Sequence, residues 1–181
     1  EFAAYCGMPH AISLANGTLA LELALRALGV GTSDEVIVPA RSFFASASAV
    51  AAVGAVPVFA DIDRNSHTID PAAVVPLING RTRAILCVHL AGWPCDMDAL
   101  GAIAAQHLWL VEDCAQAHGA AIRGKKVGSF GDASAFSFCT DKIMSTGGEG
   151  GMLLLKDSAH WERAWAYKDH GKNVALLAAP A

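Results

Sequence analysis

Strand-length apolar runs recur roughly every 25 residues along this chain, with helix-patterned segments between them, and few folds accept that rhythm. DEVIVPA, VPVFADID, TRAILCVHLAG, WLVEDCAQ, SFGDASAFSFC and GGMLLLKD read as strands. TLALELALRALGVG has helical spacing, opened by Asn16-Gly17-Thr18 and stopped by Gly29. SFFASASAVAAVGA reads as a helix of small residues closed by Gly54. DPAAVVPLI starts with Asp70 as a cap and Pro71 in the first helical position. DMDALGAIAAQHL and SAHWERAWAYKDHG complete the helical set. The alternation predicts an α/β domain with a mostly parallel central sheet and helices on both faces. In such sheets ligands bind beyond the carboxyl ends of the strands, which places the chemistry at NGT, PARSFF, HLAG, EDCAQ and SFCTDK. No repeat or linker divides the chain, so residues 1–181 are read as one domain.

Composition narrows the partners. Of 181 residues, 54% are hydrophobic and 17% charged, a globular balance with a large core. The net charge of −4 comes with scattered basic residues and no Lys/Arg block, which argues against nucleic acid or an anionic membrane surface. Cys6, Cys87, Cys95, Cys114 and Cys139 form an odd set without a CxxC pair. Three of them stand in strand-like contexts, so buried free thiols and a reducing compartment, the cytoplasm, are expected. No apolar run reaches the ~18 residues of a membrane span, and no signal peptide is visible. The chain starts EFAAYC and finishes NVALLAAPA, ends that read as cut from a longer polypeptide.

Three stretches have chemical potential. Asn16-Gly17-Thr18 offers free backbone N–H groups, the helix dipole and a hydroxyl to a phosphate, or is an ordinary N-cap. Asp113, at the end of an apolar strand, needs a cation or a hydrogen-bond network, or caps the next turn. Lys142, just past an alternating aromatic run, is either an amine placed to attack a carbonyl or a snorkelling lysine. His89 with Cys95, or Cys114 with His118, lacks a second pair at zinc spacing, and no metal is expected. Walker A, GxGxxG and GxSxG motifs are absent. In combination, a phosphate cradle, a strand-end Asp and a strand-end Lys match pyridoxal phosphate, which presents a phosphate, a pyridine nitrogen and an aldehyde.

NGTLALELAL, DEVIVPARSFFAS, GAVPVFADID, VHLAGWPCDMDAL, VEDCAQAHGA and GSFGDASAFSFCTDKIMSTGGEGGML resemble the DegT/DnrJ/EryC1/StrS (sugar) aminotransferases, in order and over nearly the whole chain. The resemblance implies the large domain of a pyridoxal-phosphate-dependent transferase of fold type I, truncated before a small C-terminal domain. It also implies a homodimer with active sites between subunits. Carried over, Lys142 is the lysine that joins the cofactor's aldehyde and Asp113 pairs with the pyridine nitrogen. Gln116 reaches the phenolic oxygen and Phe43 stacks on the ring, while Gly17, Thr18 and Ser137 hold the phosphate. Lysine, rather than the histidine of dehydrating relatives, favours transamination from an amino acid, glutamate foremost, to a keto group of a nucleotide-linked sugar. Another enzyme of the same cofactor and fold type (aldolase or dehydratase) and a fragment that folds without cofactor are the alternatives. Asp141, His89, Trp93 and His118 are further residues near the expected pocket, with packing or solvent-facing roles as the alternative for each.

Overall fold

The structure, a computed structural model, describes residues 1–105, 107–173 and 177. In chain order the elements are α1 (Phe2–Cys6), β1 (His10–Leu14), α2 (Gly17–Ala27), β2 (Glu35–Pro39) and α3 (Ala45–Ala52). They continue with β3 (Val56–Ala60), α4 (Pro71–Val74), β4 (Thr82–Val88), α5 (Met97–Ala104) and β5 (Trp109–Asp113). A short hairpin of β6 (Ala121–Ile122) and β7 (Lys125–Lys126) precedes β8 (Ala133–Ser137), β9 (Gly151–Leu155) and α6 (Ser158–Lys168).

Seven strands make one sheet in the order β1-β9-β8-β5-β4-β2-β3. The run from β3 to β8 is parallel, as expected, while β9 lies antiparallel between β8 and β1. The β1 strand went unread in the sequence because HAISL mixes two polar residues into an edge strand that is only partly buried. Helices cover both faces. On β4, Ala84, Leu86 and Val88 join the core under α2, α3 and α6, whereas Ile85 and Cys87 join the core under α4 and α5. Alternate side chains of one strand thus feed two cores, so its sequence reads as a continuous apolar run. A third cluster seats α1 against Phe136, Phe138 and Leu154.

The helix starts follow their caps. Asn16 Oδ1 accepts the Leu19 N–H at 2.9 Å, Asp70 the Ala72 N–H at 2.8 Å, and Asp157 the N–H groups of Ala159 and His160 at 2.8 and 3.2 Å. All five cysteines are free, and four rather than three are buried. Burial pushes the Cys6 thiol up to about 11 and the Cys114 thiol up to about 12. Among the described residues no helix is long and apolar enough to cross a membrane. The terminal VALLAAPA, apart from Leu177, lies outside the described residues.

One contact sets the geometry of the functional end. Gly151 pairs with Leu14 on one side and Ser137 on the other, and the Asn16 turn lies directly over it. A Cβ at Gly151 would collide with the Asn16 carbonyl, which is backbone and has no rotamer to escape into. Gly151→Ala should therefore destabilise the protein by about 1–3 kcal/mol and displace the start of α2. Equilibrium denaturation of the variant checks this; an unchanged midpoint would mean that the turn yields freely.

Candidate active site

The parallel strands β2, β4, β5 and β8 and the edge strand β1 point their carboxyl ends the same way, and a cleft of about 420 Å³ opens there. Gly17 and Thr18 from the start of α2, Phe43 from beyond β2, Asp113 and Gln116 from the end of β5, and Ser137 and Lys142 from the end of β8 all line it. All seven residues singled out in the sequence meet in one place.

Lys142 is carried by the loop from β8 to β9. Its N–H reaches the Cys139 carbonyl at 3.1 Å, Thr146 N–H bonds the Phe138 carbonyl at 3.0 Å, and Phe138 N–H bonds the Gly150 carbonyl at 2.8 Å. Gly147 adopts φ 79°, a conformation that glycine takes without strain, and so allows the chain to double back. The lysine side chain is only 16% exposed, with Nζ 5.9 Å from the Phe43 ring centroid and 3.7 Å from Asp141 Oδ1. Asp141 itself faces solvent. The Cys139 thiol, 2.7 Å away, and then the Lys142 charge hold its carboxyl below the ordinary value.

Asp113 is buried behind the cleft. Its Oδ2 accepts the Ser46 hydroxyl at 2.9 Å and its Oδ1 the Ala115 N–H at 3.1 Å. Burial raises the pKa of this carboxyl, and those two donors, together with the nearby Lys142 charge, oppose the rise. A carboxylate in this setting favours a cationic N–H that enters from the cleft. Ser46 was not foreseen, since nothing in the sequence marks it from the other serines of this segment.

At the other end of the cleft the first turn of α2 is open. Asn16 occupies the Leu19 N–H through its side chain and the Ala20 N–H through its carbonyl, so helix geometry leaves the N–H groups of Gly17 and Thr18 for another acceptor. Gly17 lies so near Ser137 that a Cβ would sit 2.8 Å from the Ser137 Cβ. The missing side chain keeps this cradle shallow. Gln116 has a second duty that the sequence did not reveal: its Oε1 accepts the Ala91 N–H at 2.7 Å, bracing a residue with φ 53°. Its amide NH₂ is the group left to donate elsewhere.

The other candidates take different places. His89 is fully buried and not on the rim. Its Nδ1 accepts the Cys95 N–H at 3.0 Å, so Nε2 carries the ring proton and donates to Glu112 Oε2 at 3.0 Å. Glu112 also accepts the N–H groups of Gly128, Phe130 and Gly131 at 2.7–2.8 Å. His89, Glu112 and Cys114 lie close enough together to suggest a metal, with Glu112 in place of the cysteine and histidine partners considered from sequence. Both ring nitrogens and all the favourable carboxylate directions are already engaged, which makes the cluster a hydrogen-bonded clamp. Trp93 lines a neighbouring cavity with Asp63 and Arg123. His118 packs between Phe136 and Phe138, its buried ring nitrogens without a hydrogen-bond partner among the described residues and its pKa lowered, chiefly by burial.

Comparison with known proteins places this arrangement. The model of the DegT/DnrJ/EryC1/StrS aminotransferase family matches residues 1–177. The chain belongs to that family. One relative is dTDP-3-amino-3,6-dideoxy-alpha-D-galactopyranose transaminase of Aneurinibacillus thermoaerophilus, 44% identical over 96% of this chain and 48% of its own. Among solved structures, an aminotransferase from Psychrobacter cryohalolentis superposes with a TM-score of 0.95 at 51% identity, covering 99% of this chain and 47% of that one. NtdA from Bacillus subtilis, solved with bound cofactor PMP, gives a TM-score of 0.91 at 31% identity, over 99% of this chain and 41% of that one. The DegT-family chain described here thus spans less than half the length of the relatives it matches. The fold is that of the type I aminotransferase structures, represented by the part that carries the sheet.

Proposed function

We propose that this chain forms the pyridoxal-phosphate-binding part of an aminotransferase that moves an amino group from an amino acid, glutamate foremost, to a keto group of a nucleotide-linked sugar. The convergence of Lys142, Asp113 and the start of α2 on one cleft carries this reading. The residues present fit the cofactor: a glycine cradle under free helix N–H groups for a phosphate, and a buried carboxylate with two donors behind it for a ring N–H. When bound, the cofactor supplies an aldehyde for amines and an electron-withdrawing ring.

The protein's own groups do the rest. Gly17, Thr18 and Ser137 bind and orient the phosphate. The Asp113 carboxylate accepts the ring N–H and keeps positive charge there. Phe43 covers one ring face, and the Gln116 amide donates to the phenolic oxygen. Lys142 would hold the aldehyde end, and its free amine would serve as the general base toward the proton on the substrate α-carbon.

The substrate class is supported by the dTDP-sugar transaminase relative. We further infer a homodimer acting in the cytoplasm, with neither nucleic acid nor membrane as partner. Phe43, which lines the cleft, and Phe44, Ile143 and Met144, which follow Phe43 and Lys142 in the chain, have 45–79% of their surface exposed, apolar area suited to a second subunit. The test is incubation of the full-length protein with pyridoxal phosphate, glutamate and a nucleotide-linked keto sugar. Formation of 2-oxoglutarate and an amino sugar in equal amounts is expected. Loss of water from the sugar without consumption of glutamate would overturn transamination in favour of dehydration.

A further inference from the structure

We propose that Ser46, backed by Ser42, is a positioning residue whose hydroxyl fixes the Asp113 carboxylate in the orientation that the cleft's ligand requires. This rests on reading the cleft as a pyridoxal phosphate site. Ser46 lies in the first turn of α3, with 1% of its surface exposed, and its Oγ is 2.9 Å from Asp113 Oδ2. Ser42 Oγ lies 2.6 Å from Ser46 Oγ and lines the cleft.

The direction of these bonds follows from proton counting. An ionised carboxylate can only accept, so Ser46 gives it its one hydroxyl proton. Ser46 can then only accept from Ser42, which must donate. Two hydroxyl dipoles therefore align toward Asp113, each strengthening the other. The Ala115 N–H holds the second oxygen at 3.1 Å. With both oxygens tethered, the carboxylate cannot swing, and its remaining acceptor directions are fixed. Burial makes Asp113 reluctant to ionise, and Ser46 is among the groups that oppose this.

An ordinary role for serines here would be to cap α3. Neither does so: the N-cap position is Phe44, with no side-chain capping bond, and Ser46 sits inside the helix pointing at another element. The serine pair serves Asp113 instead.

The test uses the full-length protein and titration of its apo form with pyridoxal phosphate, followed by absorbance. Ser46→Ala should weaken binding about tenfold, the effect of losing one hydrogen bond to a charged group, while the apo protein melts near the wild-type temperature. Ser46→Thr, which keeps the hydroxyl, should restore most of the affinity. In an Asp113→Asn background the same alanine change should add little, because the two residues act as one unit. A loss of equal size in both backgrounds would make Ser46 merely structural and overturn the proposal, as would unchanged affinity in Ser46→Ala beside weakened binding in Asp113→Asn. Wild-type affinity in Asp113→Asn would instead refute the role of Asp113 and the cofactor reading beneath it. If Ser46→Ala does not fold, Ser42→Ala, at the cleft wall, gives the same comparison with a smaller expected loss.

Discussion

Lys142→Ala is expected to yield a folded protein that forms no borohydride-reducible adduct with pyridoxal phosphate and transaminates at least about a thousandfold more slowly. The fold should survive because the side chain ends in the cleft and is not part of any of the three apolar cores. Its ion pair with the exposed Asp141 is worth little in water. The chemistry should not survive, because among the described residues no other lysine lines the cleft. Lys125 and Lys126 lie over the rings of Phe130 and Tyr5, Lys168 over Trp165, and Lys172 beside Asp169. Mass spectrometry of the reduced, digested protein locates the adduct. A modified peptide in Lys142→Ala, on any other lysine, would contradict the assignment.

The parallel core of the fold was legible because β2, β4 and β5 are buried almost throughout on both faces and so carry continuous apolar stretches. The edge strand β1 was not, since His10 and Ser13 give HAISL no such run. The β6–β7 hairpin escaped notice for a related reason: AIRGKK is a two-residue pairing with an exposed turn and too few residues for any periodicity. At the site, Lys142, Asp113 and Gly17 were readable because each is an odd residue type for its position, a charge at a strand end or a glycine at a helix start. Ser46 and Glu112 were not. A serine in a small-residue helix looks like any other, and only the fold brings it across 67 positions to Asp113. Glu112 did carry a signal, an acid inside an apolar strand, but Asp113 beside it drew the functional reading. Adjacent strand residues face opposite ways, so the two acids serve different sides of the sheet.

That division makes Glu112 a residue whose loss should cost much stability. Its two oxygens take four donors: Phe130 and Gly131 N–H on Oε1, Gly128 N–H and His89 Nε2–H on Oε2. In Glu112→Gln one oxygen becomes an NH₂, and whichever way the amide turns, two donors face a donor. Turned toward His89, the amide would ask the ring to move its proton to Nδ1, where it would meet the Cys95 N–H and relocate the conflict. Two stranded donors in a fully buried site should destabilise the apo protein by about 3–5 kcal/mol, a large fraction of a typical folding free energy. A fall in the midpoint of urea denaturation, with an unchanged slope, is the expected readout. Pyridoxal phosphate affinity should fall with it, because the clamp ties the end of β4 and the turn before β8 to the strand that presents Asp113. A glutamine variant as stable as the wild type would mean that those turns find other acceptors, and that the clamp does not hold the floor of the cleft.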